Sequence, residues 1–178
     1  MPHEETIYGL MESLVIASKH VVGDIMAHKG IWTAGTSSVN NSYKALNSLV
    51  DLGKLEKGDH YFRIKGCKSE YAEHAQLLTK TLADIIKFNY TAKIFREHTI
   101  AEKGLRPDAL VLLSRLNEGL CLVLEVCNNE TAEYLNQKIN TWNNWEGATD
   151  YLSELFQVCI PHFNIITSNE LKHFLEAL

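Results

Sequence analysis

Proline is scarce in these 178 residues, at three, and no apolar run approaches the roughly 20 residues that cross a bilayer. The amino terminus, Met-Pro-His-Glu-Glu, lacks the basic start and apolar core of a secretory signal, so a cytoplasmic protein with no membrane partner is expected. Cysteine is sparse too. Cys67, Cys121, Cys127 and Cys159 are scattered, and no pair has zinc-finger or redox spacing. A disulfide scaffold is therefore not expected, and Cys121 and Cys127 read as small hydrophobes within an apolar strand. There is no phosphate-binding glycine loop, no nucleophile elbow and no internal repeat, and the histidines show no repeated metal-ligand spacing. Net positive charge is also missing: the total is −5. That argues against a protein that coats nucleic acid indiscriminately.

The acid excess is uneven. Residues 1–67 carry seven Lys+Arg and seven Asp+Glu, whereas residues 68–178 carry ten and fifteen. A neutral module joined to an acidic one can bind DNA if its basic groups converge on one face. The expected boundaries are those of two domains, 1–67 and 68–178. Only Gly66-Cys67 separates a hairpin from the next helix, so the halves are expected to be coupled, with Lys93, Arg96, Lys103 and Arg106 as further basic contacts. The alternative for these four is that they balance Glu97 and Glu102.

Residues 4–66 read as three helices and a hairpin. Ile7, Leu10, Met11 and Leu14 share one helical face, and Ser18 is placed to cap a second helix that stops at Gly30. A third helix, from Thr36 to Gly53, is expected to bury Val39, Tyr43, Leu46, Leu49 and Val50. Lys54–Lys57 and His60–Lys65 then read as two strands around Gly58-Asp59. The outward face of the third helix is Ser37, Ser38, Asn40, Asn41, Lys44, Asn47 and Ser48. Solvated faces usually carry Glu and Lys; Asn and Ser are poor helix formers and good readers of base edges. Ser38, Asn40, Asn41, Lys44 and Asn47 are thus the candidate base contacts, with Lys57, Arg63 and Lys65 of the hairpin on phosphates.

From residue 68 onward the pattern is helix, three strands, helix, short helix, strand, helix. Hairpin-linked strands followed by a crossover strand give a mixed α/β (α+β) sheet flanked by helices. Two apolar runs, Asp108–Leu113 and Leu120–Cys127, each carry an acidic residue: Asp108 opens the first and Glu125 nearly closes the second. A buried carboxylate is costly unless paired or bound to a metal. Asp108 and Glu125 are therefore a candidate cation site. The alternative is structural, with Asp108 capping a strand and Glu125 bonded to an arginine such as Arg106. Lys138, on the following helix, either points at the carboxylates or snorkels to water.

Asn-Ser-Tyr-Lys-Ala-Leu-Asn-Ser-Leu-Val-Asp-Leu-Gly-Lys-Leu, followed by a short hairpin, resembles a winged helix-turn-helix. Pro107-Asp108 and Glu125-Val126-Cys127 resemble the restriction-endonuclease-like fold of the PD-(D/E)xK superfamily. That likeness implies magnesium or manganese on Asp108 and Glu125, with a helix glutamate, Glu70 or Glu73, as an additional ligand, and a catalytic lysine two residues after Glu125. Here position 127 is cysteine, which supplies no fixed positive charge, so Lys138 is the candidate substitute. Arg106, Pro107, Asp108, Ala109, Glu125, Val126, Thr131, Leu135, Lys138, Ile139 and Trp142 together are similar to the replication-relaxation family of plasmids, phages and integrative elements. The resemblance implies a double-stranded-DNA-binding protein acting in replication, transfer or its regulation, with a degenerate nuclease-like domain. Other expectations are a metal-dependent endonuclease using Asp108, Glu125 and Lys138, or a module for homodimerisation or docking to a replication or transfer complex.

Overall fold

The computed structural model describes residues 3–67, 73–88, 91–115, 118–127 and 130–177. Among them the chain is mixed α/β, and its contacts divide it into two units, Met1–Asn89 and Tyr90–Leu178.

In the first unit, α1 (Glu4–Leu14) buries Ile7, Met11 and Leu14 and ends at Val15, whose φ of 63° is unusual for a β-branched residue. That reversal starts β1 (Ile16–Ala17), a strand that the sequence pattern does not announce. Ser18 caps α2 (Lys19–His28) as expected, its side chain accepting from Val21 N at 3.3 Å. After α3 (Thr36–Asp51), β2 (Leu55–Lys57) and β3 (Phe62–Ile64) form a hairpin. Together with β1 they make an antiparallel sheet of order β1-β3-β2, with Ile16 opposite Arg63 and Leu55 opposite Ile64.

The α2–α3 contact is close. A Cβ at Gly23 would stand 3.1 Å from the Ser38 carbonyl carbon and oxygen and from Val39 N. Ser42 Oγ bonds the Lys19 carbonyl at 2.6 Å. The buried stripe of α3 is Ser38, Ser42, Ala45, Leu46 and Leu49. Two expectations are corrected by this phase. Ser38 is buried, with Oγ donating to the Gly35 carbonyl at 2.8 Å, and Tyr43 is 39% exposed. Small residues, not the aromatic, face α2 because the helix backbones approach too closely for a ring.

Helix α4 (Glu73–Lys87) buries Leu78, Leu82, Ile85 and Ile86, and Thr79 Oγ1 donates to the Ile16 carbonyl at 2.8 Å. Lys87 pairs with Asp24. The division of the chain therefore falls at Asn89/Tyr90, not at 67/68, because α4 closes the core of the first unit. The short junction at Gly66-Cys67 lies inside that unit.

The second unit holds β4 (Thr91–Arg96), β5 (Ala109–Arg115), β6 (Glu118–Glu125) and β7 (Phe163–Thr167) in the order β4-β5-β6-β7. The first three pair antiparallel and β7 joins β6 parallel, the mixed sheet expected of a hairpin plus crossover. The crossover carries α5 (Ala132–Asn143) and α6 (Ala148–Phe156); α7 (Leu171–Glu176) ends the chain. Leu110, Leu112, Cys121 and Val123 pack with Trp142, Leu152 and Phe156 in one cluster. β7 begins at Phe163 and no earlier, since Pro161 has no N–H for a ladder and Ile160 N is already bonded to Ser153 Oγ. No described helix is long and apolar enough to cross a membrane.

Candidate metal centre and nucleic-acid interface

Alternation along a strand puts Asp108, Leu110 and Leu112 on one side of the sheet, and Cys121, Val123 and Glu125 likewise. Ala109 is registered with Leu124, so one step further along the ladder Asp108 stands across from Glu125. Both carboxylates thus share the face that carries the Trp142 cluster. Asp108 is 9% exposed and its Oδ2 accepts from Val126 N at 2.6 Å. Glu125 is fully buried.

Lys138 completes the group. Thr131 caps α5, its side chain accepting from Tyr134 N at 3.3 Å, and buried Trp142 fixes the far end. Between them Lys138 Nζ donates to Glu125 Oε2 at 2.5 Å with its side chain only 11% exposed. The lysine points at the carboxylates and does not snorkel. Arg106, the alternative partner, bonds Glu97 at 2.8 Å instead. Arg96 lies 3.8 Å from Glu97, and Lys93 donates to the Phe156 carbonyl at 3.5 Å.

Glu125 Oε1 is buried and has no hydrogen-bond partner among the described residues. Burial pushes the Glu125 carboxyl up to about 7; Lys138 pulls against this, while Asp108 and Glu130 add to it. Burial works to lower the Lys138 ammonium and is outweighed by the hydrogen bond and charge of Glu125, so its pKa rises. The donor set is hard oxygen with one orphaned atom, which fits magnesium or manganese completed by water. Among the described residues no group of three or more His, Cys, Asp or Glu could hold a metal, and Glu70 lies outside them. Cys127 has its thiol pKa raised by burial and by nearby carboxylates. Its amide donates to Ser168 Oγ at 3.2 Å.

On α3, Asn40 and Lys44 are exposed and Asn41 is half-buried. Asn47 is engaged: its Nδ2 donates to the Tyr43 carbonyl at 2.6 Å and its Oδ1 accepts from Lys57 Nζ at 3.1 Å. Arg63 pairs with Glu56 at 2.8 Å, while Lys65 is exposed. Asn40, Asn41, Lys44, Lys57 and Lys65 therefore reach the surface, Ser38 does not, and Arg63 is neutralised. Tyr43 was missed because apolar spacing assigns it to the core. The signal was the excess of apolar positions over what one close-packed stripe can hold. Comparison with protein-family models, with curated proteins and with solved structures finds no match to the chain.

Proposed function

We propose that the chain is a sequence-specific DNA-binding protein, with a winged helix-turn-helix as its first unit and a restriction-endonuclease-like domain as its second. The observation that carries this reading is α3. Its exposed residues are Thr36, Ser37, Asn40, Tyr43, Lys44 and Asp51, and the single acid among them, Asp51, stands at the last position. The order α1-β1-α2-α3-β2-β3 and the sheet order β1-β3-β2 support it, since a winged helix sets such a helix in the major groove with the hairpin beside the backbone. Asn40 and Asn41 suit adenine, and Lys44, Lys57 and Lys65 suit phosphates or guanine. A role in replication or transfer of a mobile element, and a homodimer meeting half-sites about 34 Å apart, belong to the same proposal. Selection of bound fragments followed by fluorescence anisotropy tests it. Asn40→Ala with Lys44→Ala is expected to weaken the selected site by about 1–3 kcal/mol per lost base contact. Unchanged affinity, or no binding at low salt, would overturn the proposal.

The meeting of Asp108, Glu125 and Lys138 favours a second reading, a metal-dependent endonuclease. Magnesium or manganese held by Asp108 and Glu125 would supply a water of lowered pKa and would offset charge at the phosphate. Lys138 holds Oε2 of Glu125 and so leaves Oε1 as the oxygen available to a cation. Asp108 is oriented by the Val126 amide. Manganese-dependent plasmid nicking that Asp108→Ala abolishes would promote this reading. Absence of both nicking and manganese binding would leave the three residues structural.

A further inference from the structure

Two ammonium groups lie against one exposed ring. Lys19 Nζ, from the first turn of α2, is 5.0 Å from the centroid of Tyr43, and Lys57 Nζ, from the end of β2, is 4.8 Å from it. Lys57 is fixed there: it donates to Tyr43 Oη at 2.9 Å and to Asn47 Oδ1 at 3.1 Å. α2, α3 and the hairpin thus each contribute a polar group to one place on the surface.

A cation over an exposed ring recovers only about 0.5–1 kcal/mol and its charge is not neutralised. Elsewhere basic side chains meet carboxylates: Arg63 with Glu56, Lys87 with Asp24, Arg106 with Glu97, Lys138 with Glu125. Among the described residues neither Lys19 nor Lys57 forms an ion pair with a carboxylate. The place has donors left over, because Lys57 keeps a third N–H and Tyr43 Oη its own hydrogen. The hydrogen bond and charge of Lys57 also hold the Tyr43 hydroxyl below its ordinary pKa.

We propose that Lys19, Tyr43 and Lys57 form an anion site that takes one backbone phosphate of DNA and so fixes how α3 sits in the groove. The inference rests on the DNA-binding reading and adds the contact that orients the helix. Phosphate fits better than carboxylate here, because lysines act as point charges, whereas planar carboxylates are matched by the arginine fork. Asn47 is then a positioning residue that holds Lys57 in place, not a reader of bases.

The test uses the full chain and a random-sequence duplex, since a phosphate contact carries no sequence information. Anisotropy titrations across a salt series compare wild type with Lys19→Gln/Lys57→Gln and with Tyr43→Phe, each checked for native circular dichroism. The double variant is expected to lower the salt slope by about 1, the share of one phosphate. Tyr43→Phe is expected to weaken binding about 3- to 10-fold, alike on every sequence. A parallel nuclear magnetic resonance titration with inorganic phosphate is expected to move the Tyr43 ring signals in wild type and not in the double variant. Unchanged slopes with no response to phosphate overturn the anion site and leave the DNA-binding reading standing if the wild type binds duplex. A phosphate response without duplex binding keeps the anion site and overturns the DNA-binding reading.

Discussion

Glu125 is the residue on which charge, burial and chemistry collide. Its carboxyl ordinarily titrates at 4.5 and is pushed up to about 7 when folded, chiefly by burial. Between those two values the folded chain keeps a proton that the unfolded chain has released. Stability from this group is therefore full below about 4.5 and is lost as the pH rises through about 7. The shift corresponds to a loss on the order of 3 kcal/mol. Lys138 acts in the same direction but in a different window: its raised pKa contributes stability that is kept through neutrality and lost only at alkaline pH. Urea unfolding from pH 4.5 to 8 should show that decline in wild type and a flatter profile in Glu125→Gln; parallel profiles would mean that Glu125 titrates normally. The same proton bears on metal binding, since a carboxylate ligand must be ionised. Manganese affinity is expected to rise as the pH passes about 7, with proton release visible in calorimetry when buffers of different ionisation enthalpy are compared. A pH-independent affinity would remove Glu125 from the ligand set.

At the scale of elements, the contact between α2 and α3 decides where α3 sits. Gly23 lies directly against α3, and the atoms it faces are backbone, which cannot rotate away. Gly23→Val should therefore cost about 1–3 kcal/mol by overpacking and displace α3. The expected result is a lowered thermal midpoint together with weaker duplex binding; an unaltered midpoint would mean that the helices part without strain. The same contact shows why the sequence gives α3 as a helix but mistakes its phase. Apolar periodicity alone favours Tyr43 and Val50 as core, whereas close backbone packing selects Ser38, Ser42 and Ala45, which carry little hydrophobic signal. β1 was illegible for another reason. Two residues are too few to show alternation, and their strand character comes from pairing with β3, a partner far along the chain. Asp108, Glu125 and Lys138 were legible because charged residues at apolar positions are conspicuous. The contact of Lys138 with Glu125 was less so, since it depends on the length and tilt of a crossover helix.

For the whole molecule, redrawing the division at Asn89/Tyr90 changes where the charge lies. The first unit now carries ten Lys+Arg and ten Asp+Glu, and the second seven and twelve, so the entire −5 belongs to the sheet unit. An acidic unit repels DNA at long range, and that repulsion weakens with salt. The neutral unit is the part suited to approach a duplex, and its stability depends on α4. Leu78, Leu82 and Ile85 are fully buried, and Thr79 reaches back to bond the Ile16 carbonyl. Removing α4 would expose the apolar surface beneath it, at a cost of about 25 cal/mol for each Å² returned to water. A fragment ending at Asn89 is therefore expected to unfold cooperatively and to bind a random-sequence duplex at low salt at least as tightly as the full chain. A fragment ending at Gly66 is expected to lose both properties, as judged by thermal circular dichroism and anisotropy. If the shorter fragment melts cooperatively and binds equally well, α4 is dispensable to the first unit, and the boundary near residue 67 that the sequence suggests is the better one.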